Sequence, residues 1–433
     1  MKPFLLLILF SFSLQAQHTI SGTISPPENL KQVFLYKSNP SSSSYVDKGS
    51  LDQTDSFSIT LDSTVSKGIY KIVYGLPTEE FNFDVLYNGK ENIRFILEKG
   101  SLSFEESREN KLWQEYLQAI TKATNQLNEF YVEGKTDETE FMSLANSLKQ
   151  TQQTYETKAQ GTMVLDFIKG NKPFVPSEYQ SIGTYFNHVR EDFLKTIDFS
   201  NQYLQSSDFL TEKILVFIFD LVSNPDNAFY KEQVDRLVKS IADVNTVYKT
   251  TILNLIWQQF VAMENDAVAN YITDAYLMQL AKDTNNQALL DTITTHKKIS
   301  IGVTAPDFEL TIDGNPTSLL NLKESENYLL VFWSSTCGHC LKELPQLNNY
   351  LKEVAKKDLT VIAFAIEDYE QSWKETIQQF PDFVHVLGLG KWDNPISKAY
   401  GVHATPSYFL LDKDKKIVAK PYDLEALESI LNN

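Results

Sequence analysis

Cysteine is almost absent from this 433-residue chain: Cys337 and Cys340 are the only two. One closely spaced pair cannot staple a fold, because a bridge closing so short a loop restricts the unfolded chain little. A zinc centre would need four ligands, and no second CxxC or HxxxH accompanies the pair. Positive charge is also short, with 39 Lys and Arg against 56 Asp and Glu and a net charge of −17. That balance argues against nucleic acid and anionic membrane surfaces, both of which attract basic patches. Long apolar runs are missing beyond the first residues. The best internal one, residues 214–222, is short and carries Asp220, so it reads as a buried helix rather than a membrane span. No fixed repeat period is visible, which argues against a helical array. What is present is 42% apolar and 12% aromatic content, enough for packed cores in two or three domains.

The N-terminus has the pattern of an export signal. Lys2 supplies a positive start, residues 3–14 are nearly all apolar, and Ala16 offers a small residue for cleavage. Residues 1–16 are therefore expected to be a signal peptide, with the mature chain in the periplasm or cell envelope of a Gram-negative bacterium. No cysteine stands at the cleavage point, so a lipid anchor is not expected. In an oxidising compartment a stray thiol is a liability. A lone CxxC is then better explained by chemistry than by stapling.

Composition shifts twice along the chain. Residues 17–104 carry short alternating runs at 19–25, 32–36, 56–61, 68–74 and 91–97, separated by polar turns at 39–42 and 87–90. This pattern predicts an antiparallel β-sandwich-like domain. Residues 105–298 show apolar stripes at helical spacing, such as Leu112, Trp113, Tyr116 and Ile120, with breaks at 133–135 and 170–173. They predict an all-α domain whose aromatics are core residues. Residues 299–433 alternate strands and helices: strands at 307–311, 328–333, 359–366 and 383–389, a hairpin from 407 to 419, and helices after Cys337, at 371–380, 395–400 and 424–431. That alternation predicts a central sheet with helices on both faces.

The Cys337-Gly338-His339-Cys340 motif falls where the apolar strand ends and a helix begins. A helix start supplies N–H groups and the positive end of the dipole, which favour a thiolate on the first sulfur. The second sulfur lies one turn inside, close enough to form a disulfide. A peroxidase loop would need Pro and Thr seven and three residues before the cysteine; Leu330 and Ser334 stand there instead.

From these residues onward the C-terminal third resembles the thioredoxin superfamily, and most closely its exported TlpA/ResA-type branch. Four segments carry the resemblance: residues 331–340 around the CxxC, Pro345 inside the following helix, residues 400–406 ending in Thr405-Pro406, and residues 304–308. The resemblance implies a thioredoxin-like fold and a protein thiol–disulfide oxidoreductase with no bound cofactor and no metal. It implies that Cys337 is the nucleophile and Cys340 the resolving thiol. It implies that Pro406 is cis and that Thr405 pairs with substrate backbone, with Trp333 packed beside the site and counted with the substrate-binding residues. Glu343, three residues past Cys340, would tune the dithiol by accepting a proton from Cys340. His339 would stabilise the Cys337 thiolate and raise the potential. The Gly-His pair is similar to that of protein disulfide isomerases, poised at about −180 mV against about −270 mV for thioredoxin. His385 and His403 are expected to be structural or exposed. Where relatives often carry an aromatic before the first cysteine, this chain has Thr336.

The expected function is therefore exchange of disulfides with protein substrates, as a reductase fed by a membrane electron donor or as an isomerase. The alternative belongs to another class: an envelope binding or assembly protein whose front two thirds hold a partner, with the dithiol secondary. A homodimer is compatible with either, because isomerases often use two facing sites.

Overall fold

The computed structural model describes residues 17–312, 314–323, 325–353 and 358–432; the expected signal segment lies outside them. The chain divides into two compact units, Met1–Ile252 and Leu253–Asn433.

The first unit opens with eight strands: β1 (Thr19–Ser25), β2 (Gln32–Asn39), β3 (Ser42–Ser50), β4 (Ser56–Thr60), β5 (Gly68–Val73), β6 (Asn82–Tyr87), β7 (Ile93–Glu98) and β8 (Ser101–Glu106). They form two four-stranded sheets, ordered β4-β1-β7-β8 and β3-β2-β5-β6. Alternate residues of β1 are buried, and Ile20 and Ile24 meet Val33, Leu35, Ile72 and Val85 in one core. That is the packing of a sandwich. Most pairings are antiparallel, but β1 and β7 run parallel. Three strands (β3, β6 and β8) were not expected from the sequence.

Helices follow: α1 (Arg108–Val132), α2 (Glu138–Lys158), α3 (Val164–Gly170), α4 (Ile182–Asp192), α5 (Gln202–Gln205), α6 (Asp208–Leu215), α7 (Asn227–Ser240) and α8 (Thr246–Ala262), whose residues from Leu253 on belong to the second unit. Ser107 and Asp137 cap α1 and α2, each accepting from the amide three residues on. The expected stripe faces inward: Leu112, Tyr116 and Ile120 are buried. Lys71 on β5 ties α6 to the sheet through Asp208, and Asp84 on β6, 3.0 Å from Lys71 Nζ, accepts from the Asp208 amide at 2.7 Å.

The second unit contains more than the expected α/β domain. Helices α9 (Asp266–Ile272), α10 (Met278–Asp283) and α11 (Gln287–Lys298) group with it, not with residues 105–252. By compactness, these helices group with the domain expected over residues 299–433. A buried polar node also joins them to it. Asp266 accepts from the Ile301 amide at 2.7 Å and from Lys420 Nζ at 3.0 Å, and its carboxylate lies 3.0 Å from His296 Nε2. A break between 298 and 299 would separate those groups.

Strands β9 (Glu309–Ile312) and β10 (Asn315–Ser318) make a hairpin, and β11 (Asn327–Trp333), β12 (Leu359–Glu367), β13 (Val384–Leu389), β14 (Ser407–Asp412) and β15 (Ile417–Ala419) make the central sheet. Its order is β13-β12-β11-β14-β15; β11, β12 and β13 are mutually parallel, and β14 and β15 antiparallel. Helices α12 (Cys340–Glu353), α13 (Gln371–Thr376), α14 (Pro395–Ala399) and α15 (Leu424–Asn432) complete it. The sheet is apolar on both faces, as parallel strands between helices require. Tyr328, Leu330 and Phe332 point into one core with Tyr400 and Phe409. Leu329, Val331 and Trp333 point into the other, with Leu344, Leu347 and Leu427. Among the described residues no helix is long and apolar enough to cross a membrane.

Candidate active site

Strand β11 is the central strand, paired with β12 on one side and β14 on the other. Its apolar run ends at Trp333, and Ser334, Ser335 and Thr336 lead to Cys337. Cys337 then behaves as a helix cap. Its sulfur accepts from the Cys340 amide at 3.2 Å, and its carbonyl accepts from the Leu341 amide at 3.1 Å. Helix α12 thus begins with free donors aimed at one sulfur. Pro345 lies inside that helix.

Both cysteines are free thiols, and their surroundings differ. Cys337 is half-buried; Cys340 is fully buried. Burial pushes the Cys337 thiol up. Hydrogen bonds from the Cys340 side chain, the Thr405 side chain and the Cys340 and His339 amides outweigh it, and the net direction is down. Burial, reinforced by the bond to Cys337, pushes Cys340 up to about 12, against the pull of the Ser334 amide and the Thr405 side chain. An accessible thiol biased toward thiolate beside a buried thiol held protonated is the asymmetry that disulfide exchange requires.

Thr405 and Pro406 stand opposite. The Thr405–Pro406 bond is cis, as expected, and the Thr405 carbonyl lies 3.3 Å from Cys337 Sγ. Both residues keep partial exposure beside the sulfur. Glu343 is half-buried, and its carboxylate accepts from Tyr408 Oη at 2.8 Å. Burial pushes the Tyr408 phenol up; the Glu343 carboxylate and then the charge of Cys340 push it further. Tyr408 therefore bonds Glu343 and feels the charge of the resolving thiol.

Two expectations need revision. Trp333 does pack beside the dithiol, in the same core cluster as Cys340, but it is 0% exposed and offers a substrate no surface. Its indole N–H finds no partner among the described residues. The strand alternation that turns Leu329 and Val331 inward turns Trp333 inward too. His339 is exposed, and its contact with Cys337 comes from the backbone amide rather than the ring. His385 is half-buried and bonds the Phe380 carbonyl at 2.8 Å, while His403 is exposed. Among the described residues no three His, Cys, Asp or Glu side chains gather as a metal site.

Two side chains at this site went unnoticed in the sequence. One is Tyr408, two residues past the cis-proline. The other is Glu367, the last residue of β12, 2% exposed. Its carboxylate accepts from the Ser335 amide and from Ser334 Oγ. A carboxylate closing the otherwise uncharged run LTVIAFAI was the available signal.

Comparison with known proteins points the same way. A family model described as Redoxin matches residues 300–428. The chain is 31% identical over 126 residues to a protein named thiol-disulfide oxidoreductase ResA from Bacillus thuringiensis subsp. konkukian (strain 97-27), covering 29% of this chain and 71% of that one. It is 32% identical over 125 residues to the thioredoxin-like protein YneN of Bacillus subtilis (strain 168), covering 28% and 72%. Among solved structures, the thioredoxin domain of a thiol-disulfide oxidoreductase from Bacteroides vulgatus is 28% identical, covers 30% of this chain and 95% of its own, and superposes with a TM-score of 0.27.

Proposed function

The chain belongs, through its C-terminal domain, to the TlpA/ResA-like branch of the thioredoxin superfamily and is a thiol–disulfide oxidoreductase, and from that premise we propose that it is exported and exchanges disulfides with proteins through Cys337 and Cys340. The observation that carries this reading is geometric: a part-exposed Cys337 sulfur under the Cys340 amide at 3.2 Å, a fully buried Cys340 one turn on, and the cis Thr405–Pro406 bond beside them. In the reducing direction the Cys337 thiolate attacks a substrate disulfide, forms a mixed disulfide and releases one substrate thiolate, which takes up a proton. Cys340 then loses its proton and attacks Cys337 Sγ. The second substrate thiol leaves, and the enzyme holds the Cys337–Cys340 disulfide. Two electrons have passed to the substrate, and a membrane dithiol donor would return them. Run in reverse, or stopped at the mixed disulfide and re-attacked by another substrate thiol, the same steps oxidise or isomerise.

Glu343 receives the Cys340 proton, a role supported by the bond that holds its carboxylate against Tyr408. Thr405 and Pro406 align the substrate backbone beside Cys337, a role supported by the 3.3 Å approach of the Thr405 carbonyl to the sulfur. Export is supported by the pattern of residues 1–16.

The test is a trap. With Cys340→Ala, the mixed disulfide on Cys337 has no resolving thiol. The full chain carrying that change should accumulate disulfide-linked protein substrates in the envelope, released by dithiothreitol and absent when Cys337 is also changed. Equal accumulation without Cys337 would sink the assignment.

The first unit supports a second reading, as a partner-holding protein. It contains a cavity of about 880 Å³ between its helices, lined among others by Asn146, Lys149, Phe174, Tyr185 and Lys213. If the C-terminal unit alone keeps full activity on the trapped substrates, the front is a tether. If it keeps activity only on small disulfides, the front selects the partner.

A further inference from the structure

Glu367 is the only ionisable side chain in β12, and it is 2% exposed. A carboxylate held there without solvation is costly unless its oxygens are bonded. They are bonded to a single short segment. One oxygen accepts from the Ser335 amide, and the other lies 3.3 Å from Ser334 Oγ. Ser334 passes the constraint on. Its carbonyl accepts from the Cys337 amide at 3.1 Å, and its hydroxyl accepts from the Thr336 amide at 3.2 Å. Its own amide reaches the sulfur of Cys340. The Glu367 carbonyl meanwhile accepts from the Gly390 amide at 2.9 Å, which anchors it from the β13 side. All three residues between β11 and Cys337 therefore hang on one buried carboxylate.

We propose that Glu367 is a positioning residue for the dithiol: it clamps Ser334–Thr336 so that Cys337 stays at the start of α12, under its amide donors. It touches neither sulfur. The proposal rests on the reading of Cys337 and Cys340 as the working dithiol. Two rival roles make opposite forecasts. If only the negative charge mattered, its removal would make the thiolate easier to form. If Glu367 were merely structural, its loss would lower the melting temperature and leave the chemistry alone.

The experiment compares the full chain with its E367A, E367Q and S334A forms. The readouts are the pH dependence of Cys337 alkylation by iodoacetamide, the reduction potential in glutathione buffers, and thermal unfolding. For E367A the alkylation midpoint should rise by about one pH unit, making labelling about tenfold slower at pH values below both midpoints. E367Q keeps an oxygen for the Ser335 amide and should restore most of the rate. S334A removes the hydroxyl link and should shift the midpoint the same way by less. A lower melting temperature with unmoved midpoint and potential overturns the proposal. So does a midpoint that falls in both Glu367 variants. Should E367A fail to fold, an unmoved midpoint in S334A overturns it as well. A wild-type chain with no reversible couple would instead defeat the functional reading itself.

Discussion

At the residue scale, two thiols three positions apart are driven in opposite directions by where the helix puts them. Cys337 sits outside the first turn and collects donors; Cys340 sits inside it and is cut off from water. With Cys340 pushed up to about 12 and Cys337 moved below an ordinary thiol, labelling should be selective. Iodoacetamide at pH 7 should modify Cys337 alone in the folded, reduced protein, and Cys337→Ser should reduce labelling by more than about tenfold. Lowering the pH should slow labelling only once it passes through the depressed Cys337 value. Equal modification of both cysteines, read by mass spectrometry, would contradict this. Most of the site was legible because its signals are local. A CxxC after an apolar strand marks the sulfurs, and Thr405-Pro406 and Glu343 lie in short recognisable segments. Glu367 was not legible, because it reaches Ser334 and Ser335 only through strand pairing. The register that sets Trp333 against Ala365 brings the end of β12 beside the residues after β11. Nothing in a linear reading displays that register.

At the element scale, burial decided which strands could be read. The central strands β11 and β12 are buried on both faces and stood out as apolar runs. The strands missed in the sandwich, β3, β6 and β8, all lie at sheet edges. In β3, water takes most of both faces, and only Gly49 is buried. An edge strand of that kind has no alternation to display. Its serines read as a turn, although the turn itself spans only Pro40 and Ser41. Strand β10 was missed for a related reason: its four residues, Asn315–Ser318, carry no apolar side chain beyond a proline. Close packing also makes strand residues testable. A Cβ on Gly388 of β13 would stand 2.4 Å from the ring of Phe364, itself wedged against Phe308 and Phe332. Gly388→Ala should cost about 1–3 kcal/mol of stability, read by urea unfolding of the full chain. An unchanged midpoint would show that the ring yields freely.

At the scale of the whole molecule, the two compact units do not coincide with the change from helices to alternating strands and helices. The sequence placed the last boundary where the pattern changes, near residue 299. The second compact unit reaches back to residue 253, and within it a polar node joins residues on both sides of 299. Asp266 shows the energetics. Burial pushes its carboxyl up, but bonds from His296, the Ile301 amide and Lys420 outweigh burial and hold it down at about 2. A folded value below the unfolded one stabilises at higher pH. The contribution is full above the unfolded value near about 3.9, and it is lost as pH falls toward about 2. Asp266→Ala leaves a buried imidazole, an amide and an ammonium without their acceptor. It should cost about 3 kcal/mol at neutral pH, with the loss shrinking in acid. A variant as stable as wild type at pH 7 would show that the node adds nothing.

The central claim is that Cys337 and Cys340 form a working redox couple, and equilibrium with glutathione tests it most directly. The full chain should show one reversible two-electron transition, abolished by Cys337→Ala. A midpoint of about −270 mV would mark a reductant; one near or above about −180 mV would mark an isomerase or oxidant. A chain that shows no reversible transition between the dithiol and the disulfide would contradict the account.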